Sequence, residues 1–97
     1  MVTYILLVNF TDKGRQNFKK GYVTTREEFK AAVARMGGKM TGYVTAGSYD
    51  AVEIIDMPND DTALSLLLGG LSVDDIRYIS LRAFSESDVK KTLQTMQ

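Results

Sequence analysis

Tyr43-Val44-Thr45-Ala46-Gly47-Ser48-Tyr49-Asp50-Ala51-Val52 reads as two strands folded back on each other about Gly47-Ser48. A two-residue Gly-Ser link between β-rich runs signals a hairpin, because glycine takes the positive φ that opens a type II′ turn. That turn sets a register in which Ala46 faces Tyr49, Thr45 faces Asp50, Tyr43 faces Val52 and Lys39 faces Asp56. One face then carries Thr41, Tyr43, Thr45, Val52 and Ile54, and the other Met40, Val44, Ala46, Tyr49, Ala51, Ile55 and Met57. Both faces hold apolar side chains, so both need cover. Glu53 falls on the second face opposite Gly42, where a carboxylate needs a partner or water.

Upstream, Val2 to Phe10 has strand character, with Tyr4, Leu6, Val8 and Phe10 pointing one way and Ile5, Leu7 and Asn9 the other. Apolar residues on both sides mark a central strand. Thr11-Asp12-Lys13-Gly14 breaks the pattern, with Asp12 placed to cap a short helical turn, and Lys13 to Tyr22 reads as a basic loop interleaved with aromatics. Thr24-Thr25-Arg26-Glu27-Glu28 has capping-box spacing and predicts the start of a helix. Phe29, Ala32, Val33 and Met36 form its apolar stripe, and Gly37-Gly38 stops it. Strands are expected over Lys39 to Ala46 and Asp50 to Met57.

Downstream, Pro58-Asn59-Asp60-Asp61 starts a second helix over Thr62 to Leu68, ended by Gly69-Gly70. This helix has little polar face, which implies deep burial or a shared surface. Ile76 to Phe84 is a fourth strand, and Ser85-Glu86-Ser87-Asp88 caps a last helix with Val89, Leu93 and Met96. The order β-α-β-β-α-β with an added C-terminal helix is the ferredoxin-like, α+β plan: a four-stranded antiparallel sheet in one domain over residues 1–97. Right-handed crossovers put both main helices on one face. The other face is bare yet apolar, which predicts a homodimer with sheets packed face to face or closed into a dimeric α/β barrel.

Composition narrows the chemistry. The chain has 97 residues, no net charge, no Cys and no His. Disulfides, thiol catalysis, the usual zinc sites and histidine-based triads are excluded. Zero net charge argues against a nucleic-acid partner held by a general positive field. Residues 1–50 carry eight Lys and Arg against four Asp and Glu, and residues 51–97 carry four against eight, so the halves attract. Ile5-Leu6-Leu7-Val8 is too short to span a membrane, and a cytoplasmic location is the default expectation. No phosphate-loop or dinucleotide motif is present, no cofactor is expected, and the paired acids Asp60-Asp61 and Asp74-Asp75 read as helix-start and loop residues, not metal ligands.

Four stretches share an order and spacing: Tyr4-Ile5-Leu6-Leu7-Val8-Asn9-Phe10-Thr11-Asp12 with Gly14, Gly37-Gly38-Lys39, Gly47-Ser48-Tyr49-Asp50 and Ser80-Leu81-Arg82-Ala83-Phe84. Together they resemble the GYD domain family, over nearly the whole chain. The resemblance implies a small bacterial or archaeal protein of ferredoxin-like, dimeric α/β-barrel type, and implies no particular activity. Glu53 stands where that pattern has an aliphatic residue, so it is specific to this chain or merely solvated. The hairpin also resembles that of the effector-binding half of Lrp/AsnC-type regulators, whose helix-turn-helix has no counterpart here.

The candidate ligand-binding residues are Asn9, Thr11, Tyr49, Asp50, Glu53 and Arg82. Tyr49 and Asp50 either line a cleft or serve the turn, Asp50 by accepting from backbone N–H groups. Asn9 and Arg82 lie on neighbouring strands and either share a pocket for a carboxylate or phosphate, or satisfy local partners, Arg82 through an acid such as Glu53 or Asp56. Two functions follow. One is a homo-oligomeric binding or assembly module that holds a small polar molecule between sheet and helices. The other is a cofactor-free enzyme using Tyr49, Asp50 or Glu53 as acid or base, which requires a carboxyl raised in pKa by burial.

Overall fold

Alternation along β1 (Val2–Phe10) gives the protein its two sides. Leu6 and Val8 are buried under helices, while Ile5 and Leu7 lie half-buried on the opposite face. The structure is a computed structural model and describes residues 1–70 and 73–96. β1 pairs antiparallel with β3 (Ala51–Met57) on one side and with β4 (Ile76–Ala83) on the other, and β2 (Lys39–Val44) pairs with β3. The sheet order is therefore β2-β3-β1-β4, the ferredoxin-like arrangement that the element order predicts. Helices α1 (Asp12–Gln16) and α2 (Phe18–Arg35) join β1 to β2, α3 (Asp60–Gly70) joins β3 to β4, and α4 (Glu86–Thr95) follows β4.

The core is one cluster of Leu6, Val8, Val33, Met40, Ala51, Ile55, Met57, Ala63 and Leu66. These are the helix-facing positions of β1, β2 and β3 with the inner stripes of α2 and α3. Each large side chain so covered contributes on the order of 1.5–3 kcal/mol relative to exposure. Helix α4 has no buried residue, although Ser85 and Asp88 form the capping box its sequence predicts. No helix among the described residues is long and apolar enough to cross a membrane.

The hairpin keeps its expected register, with Lys39 opposite Asp56, Tyr43 opposite Val52 and Gly42 opposite Glu53. Its end differs from the tight turn expected. The ladder stops at Val44 and Ala51, and Gly47 sits in a looser bend at φ 147°. Thr45 and Asp50 keep one bond of the expected pairing, the Thr45 N–H donating to the Asp50 carbonyl at 2.9 Å, but the Asp50 N–H turns to the Val8 carbonyl and the Thr45 hydroxyl takes the Tyr49 carbonyl.

The start of α2 is the larger correction. The helix begins at Phe18, so Thr24 and Thr25 are helix interior and not caps, and the basic loop expected up to Tyr22 is helical from Phe18 onward. Phe18 stacks on Tyr22 one turn later at 4.8 Å, and both rings meet Phe10 edge-on at 5.4 and 6.1 Å. That three-ring contact stabilises the extra turns against the competing local cap. Thr11, not Asp12, caps α1, its hydroxyl accepting from the Gly14 N–H.

Candidate functional site

Glu53 stands mid-strand on the helix-facing side of β3, among positions otherwise filled by Ala51, Ile55 and Met57. Its side chain is 13% exposed, and it meets Arg26 of α2 with Nη1–Oε1 at 2.8 Å. The Arg26 Nη1 also donates to the Tyr22 hydroxyl at 3.4 Å. Both hydrogen bonds of Arg26 leave from Nη1, so its Nε and Nη2 hydrogens have no acceptor among the described residues. Glu53 Oε2 is buried with no hydrogen-bond partner. An orphaned acceptor of this kind costs about 1–3 kcal/mol.

Gly42 makes this arrangement possible. A Cβ at position 42 would fall on Glu53 Oε2 and Arg26 Nη2, so the pair keeps this position against β2 only beside a glycine and must shift for any larger residue. Burial pushes the Glu53 carboxyl up from its ordinary range, and the Arg26 charge and hydrogen bond offset only part of that rise.

The ion pair borders a cavity of about 120 Å³ between the sheet and helices α2 and α3. Its walls are chiefly Leu6, Val8, Phe10, Phe18, Tyr22, Phe29, Met40 and Leu66. Asn17 and Phe18 line it and are themselves exposed, so it opens beside the start of α2. An apolar cavity with a few convergent polar groups is the usual form of a small-molecule site. Among the described residues no three Asp or Glu side chains converge as a metal site would need.

Of the six residues singled out from sequence, Glu53 alone lines this cavity. Asp50 accepts from the Phe10 N–H at 2.8 Å and lies 3.9 Å from Arg15, which fastens the loop end to the end of β1. The Tyr49 ring is half-buried beside it. Thr11 donates its hydroxyl to the Asp74 carbonyl at 2.7 Å and thereby ties α1 to the approach to β4. Asn9 pairs in register with Arg77, whereas Arg82 pairs with Tyr4. Five register positions, roughly 17 Å, separate Asn9 from Arg82, and they project from opposite faces, so they share no pocket. Arg82 instead lies 3.6 Å from Asp60, with its guanidinium over the rings of Phe84 and Tyr4 at 4.6 and 5.6 Å. Neither Glu53 nor Asp56 is its partner.

Sequence reasoning missed Arg26, Tyr22, Phe18 and Phe10 as a group. The available signal was spacing: Phe18, Tyr22, Arg26, Phe29 and Val33 recur at intervals of four and three, one continuous helical stripe. The basic residues between them masked it.

The family model described as GYD domain matches residues 4–93. No curated protein matches the chain. Among solved structures, the crystal structure of TTHA0845 from Thermus thermophilus is similar at a TM-score of 0.56 and 20% identity, over 88% of this chain and 95% of that one. A likeness at that identity supports the fold alone.

Proposed function

The chain belongs to the GYD domain family, and from that premise we propose that it is a small homodimeric ligand-binding module, with its ligand held between the sheet and the helices. The family brings no activity with it. One observation carries the binding role: a half-buried Arg26–Glu53 pair borders an apolar cavity while keeping an orphaned carboxylate oxygen and N–H groups that bond to nothing in the described protein.

Surface area supports the pairing of subunits. A compact monomer of 10.8 kDa exposes about 5,500 Å². This chain exposes 6858 Å², an excess larger than the roughly 800 Å² each partner gives to a standard interface. Its radius of gyration of 15.0 Å exceeds the value of about 12.5 Å for a compact chain of this length. Exposed apolar side chains gather in two places. On the open face Tyr43, Ile79 and Leu81 are 58%, 50% and 45% exposed, and along α4 Phe84, Val89, Leu93 and Met96 are exposed together. A second copy of the same chain covers both patches at once. The setting that goes with this reading is cytoplasmic and bacterial or archaeal.

Light scattering behind size exclusion at low micromolar concentration tests the pairing. The expected mass is twice 10.8 kDa or a higher multiple, and a clean monomer overturns it. Thermal-shift screening against metabolites tests the binding role, with a stabilising hit as the expected outcome. The raised carboxyl of Glu53 favours one second reading, a cofactor-free enzyme with Glu53 as acid or base. Turnover of a screening hit, with a pH profile lost in Glu53→Gln, distinguishes the enzyme from the binding module.

A further inference from the structure

We propose that the cavity beside Arg26 and Glu53 takes a neutral single-ring aromatic molecule whose polar group both donates and accepts a hydrogen bond, a phenol being the simplest case. This deepens the binding role proposed above and rests on it. Size comes first. The enclosed part of the cavity holds about 120 Å³, close to the roughly 150 Å³ of an apolar cavity that accepts benzene, which matches one six-membered ring.

Shape comes next. Phe10, Phe18 and Tyr22 already contact one another at centroid distances of 4.8 to 6.1 Å, and all three line the cavity. A ligand ring that joins them gains the edge-on and offset contacts that aromatic groups prefer.

Polarity decides the rest. Arg26 and Glu53 together carry no net charge, and the third charged residue of the lining, Asp75, has Lys13 4.0 Å away, so neither an anion nor a cation gains from these groups as a whole. An anion meets the Glu53 carboxylate, and a cation meets the guanidinium. The pair lacks one donor to the carboxylate, and Arg26, whose side chain is partly open to solvent, bonds to the protein through Nη1 alone and so keeps Nε and Nη2 for a ligand acceptor. A hydroxyl supplies both in a single group. The Glu53 carboxylate turns on a soft terminal torsion, which lets an oxygen move from the Cα of Gly42 toward the cavity. A purely apolar ring leaves these groups unsatisfied and gains only burial.

The test titrates the full chain at neutral pH with 4-fluorophenol, fluorobenzene and 4-fluorobenzoate, read by fluorine NMR of the probe and amide shifts of the protein. The expected result is binding of 4-fluorophenol about tenfold or more tighter than either other probe. Shifted amides should centre on Gly42, Glu53 and α2 from Phe18 to Arg26. Glu53→Leu should remove the preference for the phenol while keeping fluorobenzene binding. If that variant does not fold, the three-probe comparison and the shift map of the unaltered chain decide. Fluorobenzene or 4-fluorobenzoate binding as tightly as the phenol overturns the ligand class and leaves the cavity as a binding site. No binding of any probe, with a thermal-shift hit from another chemical class, likewise sinks the aromatic class alone. No binding of these probes and no hit at all sinks both this inference and the binding role.

Discussion

The two faces of one sheet, built by the same strands, meet different fates. On the helix side Ile55 is 1% exposed and Met57 fully buried, while on the far side Ile79 is half exposed. Apolar content alone does not separate the sides, because Ile5, Leu7, Val52 and Ile54 put aliphatic groups on the open one. Charge does not separate them either, since Lys39, Asp56 and Arg77 fall on the open side with Tyr43 and Ile79, but one ion pair sets the covered side apart. The covered side, where a carboxylate is costly, holds Glu53 and supplies Arg26 to meet it. Greasy surface facing outward and an ion pair facing inward both invert the usual rule for a lone domain. The two inversions are the features on which the proposed roles rest: a second subunit outside and a small molecule inside.

Truncation should expose the contrast most strongly. Ile55→Ala is expected to cost about 2–5 kcal/mol in urea denaturation. Ile79→Ala, measured where subunits are dilute and separate, should cost about 0.5 kcal/mol or less. Equal costs would erase the distinction between the faces. Next in size is Gly42→Ala, whose added methyl displaces the Arg26–Glu53 pair and should cost about 1–3 kcal/mol. Combining it with Glu53→Ala should cost less than the sum of the two single changes, since the clash is shared.

Asp50→Ala is expected to cost about 0.5–2 kcal/mol, as for a lost cap, because the Phe10 N–H loses its acceptor. Unchanged stability would move Asp50 from a fastening role toward a ligand role. The smallest effect is a slope with pH. Glu53 holds its proton more tightly folded than unfolded. Its contribution to stability is therefore fully present below the unfolded carboxyl pKa and is lost as pH rises through the raised folded value. Denaturation of the native chain and of Glu53→Gln between acid and neutral pH should diverge in that direction. Parallel curves would mean that the carboxyl is not perturbed.

Strand positions and register were legible from sequence because they depend on local alternation and on one glycine turn. Lys39 to Met57 pairs as read, with the bend loosened at its tip by the partners of Thr45 and Asp50. The start of α2 was missed although the Phe18, Tyr22 and Arg26 spacing carried it, because the capping-box pattern at Thr24 to Glu28 competes locally and the ring that holds Phe18 and Tyr22, Phe10, lies on another element. For the same reason Arg26 passed as part of a helix start and not as the counter-ion of Glu53. The supposed meeting of Asn9 with Arg82 failed differently. Neighbouring strands share an edge along their whole length, and adjacency in sheet order says nothing of position along it.

The notch at Gly42 ties two positions on neighbouring strands into one spatial unit. A side chain at 42 displaces the ends of Glu53 and Arg26 from where they lie, and an aliphatic residue at 53 no longer needs the notch. Relatives should therefore change the two sites together, and in chains that carry a larger residue at the first, the acid at the second and the arginine facing it should be missing as well.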